Sequence, residues 1–124
     1  MHRLHPAVRR VLLGPDGTAA GRILCGRNAI IALAAVALSL HALDLLTGIR
    51  MIQTYGLAAE QNPLARGLFE FAGPMGLGVA KLTVVGCGVC ALAWLAERGR
   101  PRLARNALVA VAMLGLLGFS SNLI

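Results

Sequence analysis

Three long apolar runs constrain this chain more than any other feature of its sequence. They extend from about Ala29 to Ile49, from about Leu77 to Leu95 and from about Ala107 to Ile124. Each is close to the ~20 residues that an α-helix rising ~1.5 Å per residue needs to cross a ~30 Å hydrocarbon core. A helix satisfies its own backbone hydrogen bonds, so it is the natural spanning form for such runs. A soluble helical core is the competing reading. Globular helices, however, average ~11–12 residues and keep a polar face, whereas these segments are apolar nearly all round. Composition points the same way: 57% of residues are hydrophobic and 14% charged, against ~25% charged in soluble domains. A 124-residue domain has too much surface to hide so much apolar side chain from water. The predicted fold class is therefore all-α, an integral membrane bundle of three transmembrane helices with a short outer-loop helix. Its lipid-facing surface makes the bilayer the first partner.

The first run follows a basic segment, as a signal peptide does. It is longer than the 7–15 residues of a typical signal core, it carries His41 and Asp44, and no cleavage site leads into a polar mature chain. It reads as a retained span. Orientation follows from the arginines. Arg3, Arg9, Arg10, Arg22 and Arg27 precede the first span, and Arg98, Arg100, Arg102 and Arg105 separate the second from the third. Only Arg50 and Arg66 lie between the first and second. The positive-inside rule then puts the N-terminus and the second loop in the cytoplasm, and the first loop and the C-terminus outside the cell membrane. Residues 1–27 form a basic cytoplasmic arm with a turn at Gly14-Pro15-Asp16-Gly17, and residues 28–124 form the three-helix domain. The net charge of +7 does not imply nucleic acid, which needs a basic face on a folded domain. Basic residues at span ends point to headgroups instead. The arm either rests on anionic lipid, where each basic residue contributes about 1 kcal/mol, or is a tail that only sets topology.

The outer loop, about Arg50 to Pro74, has internal organisation. Gly56 reads as the C-terminal stop of an extended first helix. Asn62-Pro63 reads as a helix start, with Asn as N-cap and Pro at the first helical position. A short helix through Leu64, Leu68, Phe69 and Phe71 then ends at Gly73-Pro74, lying on the membrane surface or folded back over the bundle.

The remaining polar residues carry the chemistry. His41, Asp44 and Thr47 recur at steps of three and share one broad face of the first helix. Lys81 lies early in the second span, and Asn122 late in the third beside Ser120 and Ser121. An ionisable group in a span costs about 2.5–3.5 kcal/mol near its centre, so it faces the bundle and has a partner. Asp44 and Asn122 each lie fifteen residues beyond the cytoplasmic start of their runs, or ~22 Å along a helix. Lys81 lies four residues inside the outer start of its run, or ~6 Å. All three fall in the outer third of the bilayer, with Glu60 and Asn62 just above. The expected contact is Lys81 with Asp44, Glu60 competing as the anion, and Asn62 and Asn122 completing the network as donors and acceptors.

The order Asp44-x-x-Thr47, Gly56, Glu60-x-Asn62-Pro63, Lys81 and a late Asn122 resembles an uncharacterised family of small prokaryotic membrane proteins, a domain of unknown function with about three spans. The resemblance covers roughly Ala29 to Ile124. It brings no established activity, substrate or cofactor, and implies only that these polar positions belong together. His41 and the cysteines lie outside the pattern.

Other features carry less. Cys87-x-x-Cys90 has redox spacing but lies mid-span, where a thiolate is disfavoured; small thiols packing a helix interface is the expected role. Cys25 reads as a free cytoplasmic thiol. His41 and Asp44 have the spacing of metal ligands, with Glu60 a conceivable third, but two ligands do not make a site, and neither metal nor cofactor is expected. Gly86, Gly88, Gly115 and Gly118 are expected to permit close helix contacts, and Trp94 to mark the cytoplasmic end of its span. Three functional classes fit. A structural or accessory membrane subunit, whose polar cluster specifies packing, suits the small size best. A proton, ion or small-solute transport unit would have to be a homo-oligomer, since three helices are too few to enclose a path. A membrane-embedded enzyme acting on lipid or peptide would use Glu60 as base and Lys81 as electrostatic stabiliser, without a recognisable nucleophile. The first class implies a membrane-protein partner or a second copy of the chain.

Overall fold

The computed structural model describes residues 26–123, so the basic arm, its turn and Cys25 lie outside the described residues. Three helices account for nearly all of the rest: α1, Arg27–Tyr55; α2, Pro63–Glu97; and α3, Pro101–Ser121. A single 3₁₀ turn, Leu57–Ala59, links α1 to α2. All three helices are long and apolar enough to cross a membrane.

The boundaries follow local chemistry. α1 outruns its apolar stretch by nearly two turns and stops at Gly56, whose φ of 84° ends the helix. α2 starts where Asn62 caps and Pro63 opens the first turn. It is two helices joined at Gly73, where φ is 65° and ψ is −168°. The positive φ suits a residue without Cβ, and the following Pro74 forces its predecessor out of the helical region. Residues 63–72 are thus the expected outer-loop helix, and residues 74–97 the second span, which begins before Leu77. α3 starts at Pro101 rather than near Ala107, so Arg102 and Arg105 lie within its first turns.

The chain runs up, down and up, which makes α1 and α3 parallel, and this pair packs most extensively. Its seam interleaves small residues with larger apolar ones such as Ile30, Leu45 and Leu108. Ala37 and Gly48 of α1 are buried, as are Ala104, Leu108, Ala112 and Gly115 of α3. Small side chains let helix backbones approach closely where lipid removes the hydrophobic drive to associate. α2 packs more loosely, with only Leu77 and Val89 buried. Large apolar side chains cover the outside instead: Leu46, Val79, Val84 and Leu117 are all more than half exposed.

This looseness corrects two expectations. Cys87 and Cys90 are exposed, and a Cβ added at Gly86 or Gly88 would meet nothing within 4 Å. Neither the thiols nor these glycines pack a helix interface, because the face of α2 that meets its neighbours here is the one carrying Val85, Val89 and Leu92. Gly115 and Gly118 do permit close contact, against Leu40, His41 and Asp44. Trp94 is exposed near the end of α2, and the Arg98 guanidinium lies 4.4 Å from its ring centroid.

Candidate functional site

The polar residues of all three helices meet around Asp44, near the end of the bundle that the outer-loop helix covers. Lys81 Nζ donates to Asp44 Oδ2 at 2.5 Å, joining α2 to α1. Asn122 Nδ2 donates to Asp44 Oδ1 at 2.9 Å and to the Asp44 carbonyl at 3.1 Å. It also reaches Thr47 Oγ1 at 3.3 Å. Thr47 can accept that bond because its own hydroxyl proton is directed to the carbonyls of Leu43, at 2.9 Å, and Asp44, at 3.1 Å. Both carboxylate oxygens of Asp44 are therefore held by side chains of the other two helices. A charge-assisted bond to each oxygen compensates for taking the carboxylate out of water, and side-chain exposure is low, 13% at Asp44 and 28% at Lys81.

Gly118 makes this approach possible. A Cβ there would collide with the Asp44 carboxylate, so the carboxylate occupies the space that any other residue's side chain would need. Asn122 is placed by the end of α3. It is the C-cap, not a residue inside the span, and its backbone N–H still bonds back to Gly118 and Phe119. Its neighbours Ser120 and Ser121 donate to carbonyls of their own helix, Leu116 and Gly118, and stay outside the network.

Glu60 and Asn62 depart from expectation. Glu60 does not compete for Lys81; its Oε1 accepts the backbone N–H of Asn62 at 2.8 Å. Asn62 does not join the network either; its Oδ1 accepts the N–H of Leu64 at 3.0 Å as the cap of α2. The physical reason is local competition. The first N–H groups of a helix lack intrahelical partners, and Glu60-x-Asn62-Pro63 spends its side chains on them. Pro63 serves as the first residue of the helix. Arg66 adds a clamp that composition alone did not suggest, its Nη2 donating to the Glu60 carbonyl at 2.6 Å. His41 faces the bundle one turn below Asp44, with Nε2 3.0 Å from the Val111 carbonyl of α3. Its Nδ1 is buried without a partner among the described residues. No group of three or more His, Cys, Asp or Glu side chains is placed to hold a metal ion among the described residues.

The folded-back outer helix closes one side of a cavity of about 510 Å³. Asp44, Lys81, Asn122 and His41 form its polar wall. Leu45, Leu77 and Val85 supply apolar surface from the spans, and Glu60, Leu64 and Leu68 come from the loop and outer helix. No residue pattern signals this cavity, since it depends on the bend at Gly73 that carries residues 63–72 over the bundle.

Residues 35–124 match a family described as a domain of unknown function (DUF5658), and the chain belongs to that family. The matched region takes in α1 from Ala35 onward and the whole of α2 and α3, and so every residue of the Asp44 network. No curated protein and no solved structure matches the chain.

Proposed function

We propose that this chain is a small structural or accessory subunit of a prokaryotic cell membrane, and that its Asp44–Lys81–Asn122 network sets the packing of its three helices near the outer leaflet. The observation that carries this reading is the saturation of Asp44: both of its carboxylate oxygens are engaged within the chain, one by each neighbouring helix. A group so engaged is suited to fixing geometry. A proton relay needs a carboxylate that can exchange partners, whereas both oxygens of Asp44 are already held. Transport by a homo-oligomer and catalysis on lipid or peptide are the alternative readings.

The N-terminus is assigned to the cytoplasm and the C-terminus to the outside, on the arginine excess before α1 and between α2 and α3. In this orientation the network and cavity lie toward the outer leaflet, and the basic arm meets the anionic inner surface. The exposed face of α2 at Cys87 and Cys90 is left for a membrane-protein partner or a second copy.

The subunit reading is tested by solubilising membranes of the native host gently and sizing the chain. It requires a particle heavier than one 12.9 kDa chain in its detergent shell, with Asp44→Asn releasing the chain from it. A chain that runs alone, together with pH-driven flux into liposomes that Asp44→Asn abolishes, would replace this reading with transport.

A further inference from the structure

We propose that the cavity beside Lys81 binds the headgroup of a zwitterionic aminophospholipid, with its phosphate on Lys81 and its primary ammonium on Glu60. The cavity, at about 510 Å³, falls within the ~300–1,000 Å³ of ordinary ligand sites. Its rim is formed by Leu64, 72% exposed, and Val84, 73% exposed. An acyl chain can leave over these two side chains, while the head reaches inward to polar groups.

Those groups have unused capacity. An ammonium has three N–H donors, and Lys81 gives one to Asp44. The others are free for acceptor oxygens, among the described residues, and the side chain is 28% exposed. Glu60 accepts one N–H, that of Asn62, on Oε1, and its second oxygen has no partner among the described residues. The lining therefore offers donors on Lys81 and a carboxylate oxygen on Glu60.

Charge selects the occupant. Among the charged side chains of the lining, Lys81 is already paired with Asp44; Glu60 has no counter-ion in the lining, and Arg66 beside it engages its backbone carbonyl and not its carboxylate. An anionic headgroup would deepen that imbalance in a poorly solvated site, where unpaired charge is costly. A zwitterion adds no net charge and gives each unused group an opposite partner. A primary ammonium also donates hydrogen bonds to Glu60, which a trimethylated one does not. The inference goes beyond the accessory role, and it stands or falls separately from it.

The test uses the full chain in detergent, titrated with dioleoyl phosphatidylethanolamine, its N,N-dimethyl form, phosphatidylcholine and phosphatidylglycerol, with bound lipid read by native mass spectrometry. One phosphatidylethanolamine per chain is expected, about tenfold tighter than phosphatidylcholine or phosphatidylglycerol, the effect of one charge-assisted hydrogen bond. The dimethyl form should fall between. Glu60→Gln keeps an oxygen for the Asn62 N–H and should remove the preference over phosphatidylcholine while retaining lipid. Ala80→Trp should fill the cavity and remove the bound lipid. Equal affinity across the headgroup series on the wild-type protein overturns the proposal whether or not the variants fold. So does a phosphatidylethanolamine preference that survives Glu60→Gln.

Discussion

Asn122 and Asp44 stand 78 residues apart in the chain, yet one amide group of Asn122 bonds both the carboxylate of Asp44, at 2.9 Å, and its backbone carbonyl, at 3.1 Å. This contact ties the last turn of α3 to the middle of α1 in one register. A slide of either helix by a single residue would break both bonds. Replacing Asn122 by Asp removes the donor and sets a second carboxylate beside the first. Like charges in one site cannot both ionise cheaply, so this variant should melt well below the wild type at neutral pH. Circular-dichroism melts in detergent measure the loss.

Gly118 and Gly86 make a matched pair of substitutions. Gly118→Ala puts a methyl group into the Asp44 carboxylate and should cost about 1–3 kcal/mol, as overpacking does. Gly86→Ala meets open space and should stabilise α2 by up to about 1 kcal/mol through helix propensity. Thermal unfolding of the two variants should move in opposite directions. Equal shifts would mean that the carboxylate does not occupy the space beside Gly118.

The cap at Asn62 is a local device. Asn62→Ala removes the acceptor for the Leu64 N–H and should cost about 1 kcal/mol. Hydrogen exchange should rise in residues 63–72 while α1 and α3 keep their protection, because Asn62 makes no side-chain hydrogen bond to either.

The spans were legible in the sequence because length and hydropathy alone decide them. Gly56, Asn62-Pro63 and Gly73-Pro74 were legible because each has a backbone consequence that does not depend on the rest of the fold. The meeting of Asp44, Lys81 and Asn122 followed from depth, a one-dimensional quantity that helix rise converts from residue number. Facing is a different matter. Glu60 and Asn62 lay at a suitable depth, but their side chains were claimed by backbone N–H groups within a few residues. Depth is blind to that competition. Cys87 and Cys90 were misjudged for a related reason: in a chain apolar all round, periodicity does not say which face of a helix meets protein and which meets lipid.

Orientation can be checked directly. With Cys25, Cys87 and Cys90 replaced, a cysteine at Gln61 should react with a membrane-impermeant maleimide on intact cells, and one at Glu97 only after lysis. Both positions are exposed at opposite ends of α2 or beside it. The reverse pattern would invert the topology assigned from the arginines.

The central claim is that Asp44 and Lys81 act as one structural unit, and a double-mutant cycle on thermal stability tests it most directly. Wild type, Asp44→Asn, Lys81→Met and the double variant would be melted in the same detergent. Each single variant leaves a charge without its partner and should lose about 3 kcal/mol, the scale set by an unpaired ion in a span or a broken buried pair. The double variant should recover most of that loss. Single variants as stable as the wild type, or losses that simply add, would contradict the account and mean that the two charges are held by something other than each other.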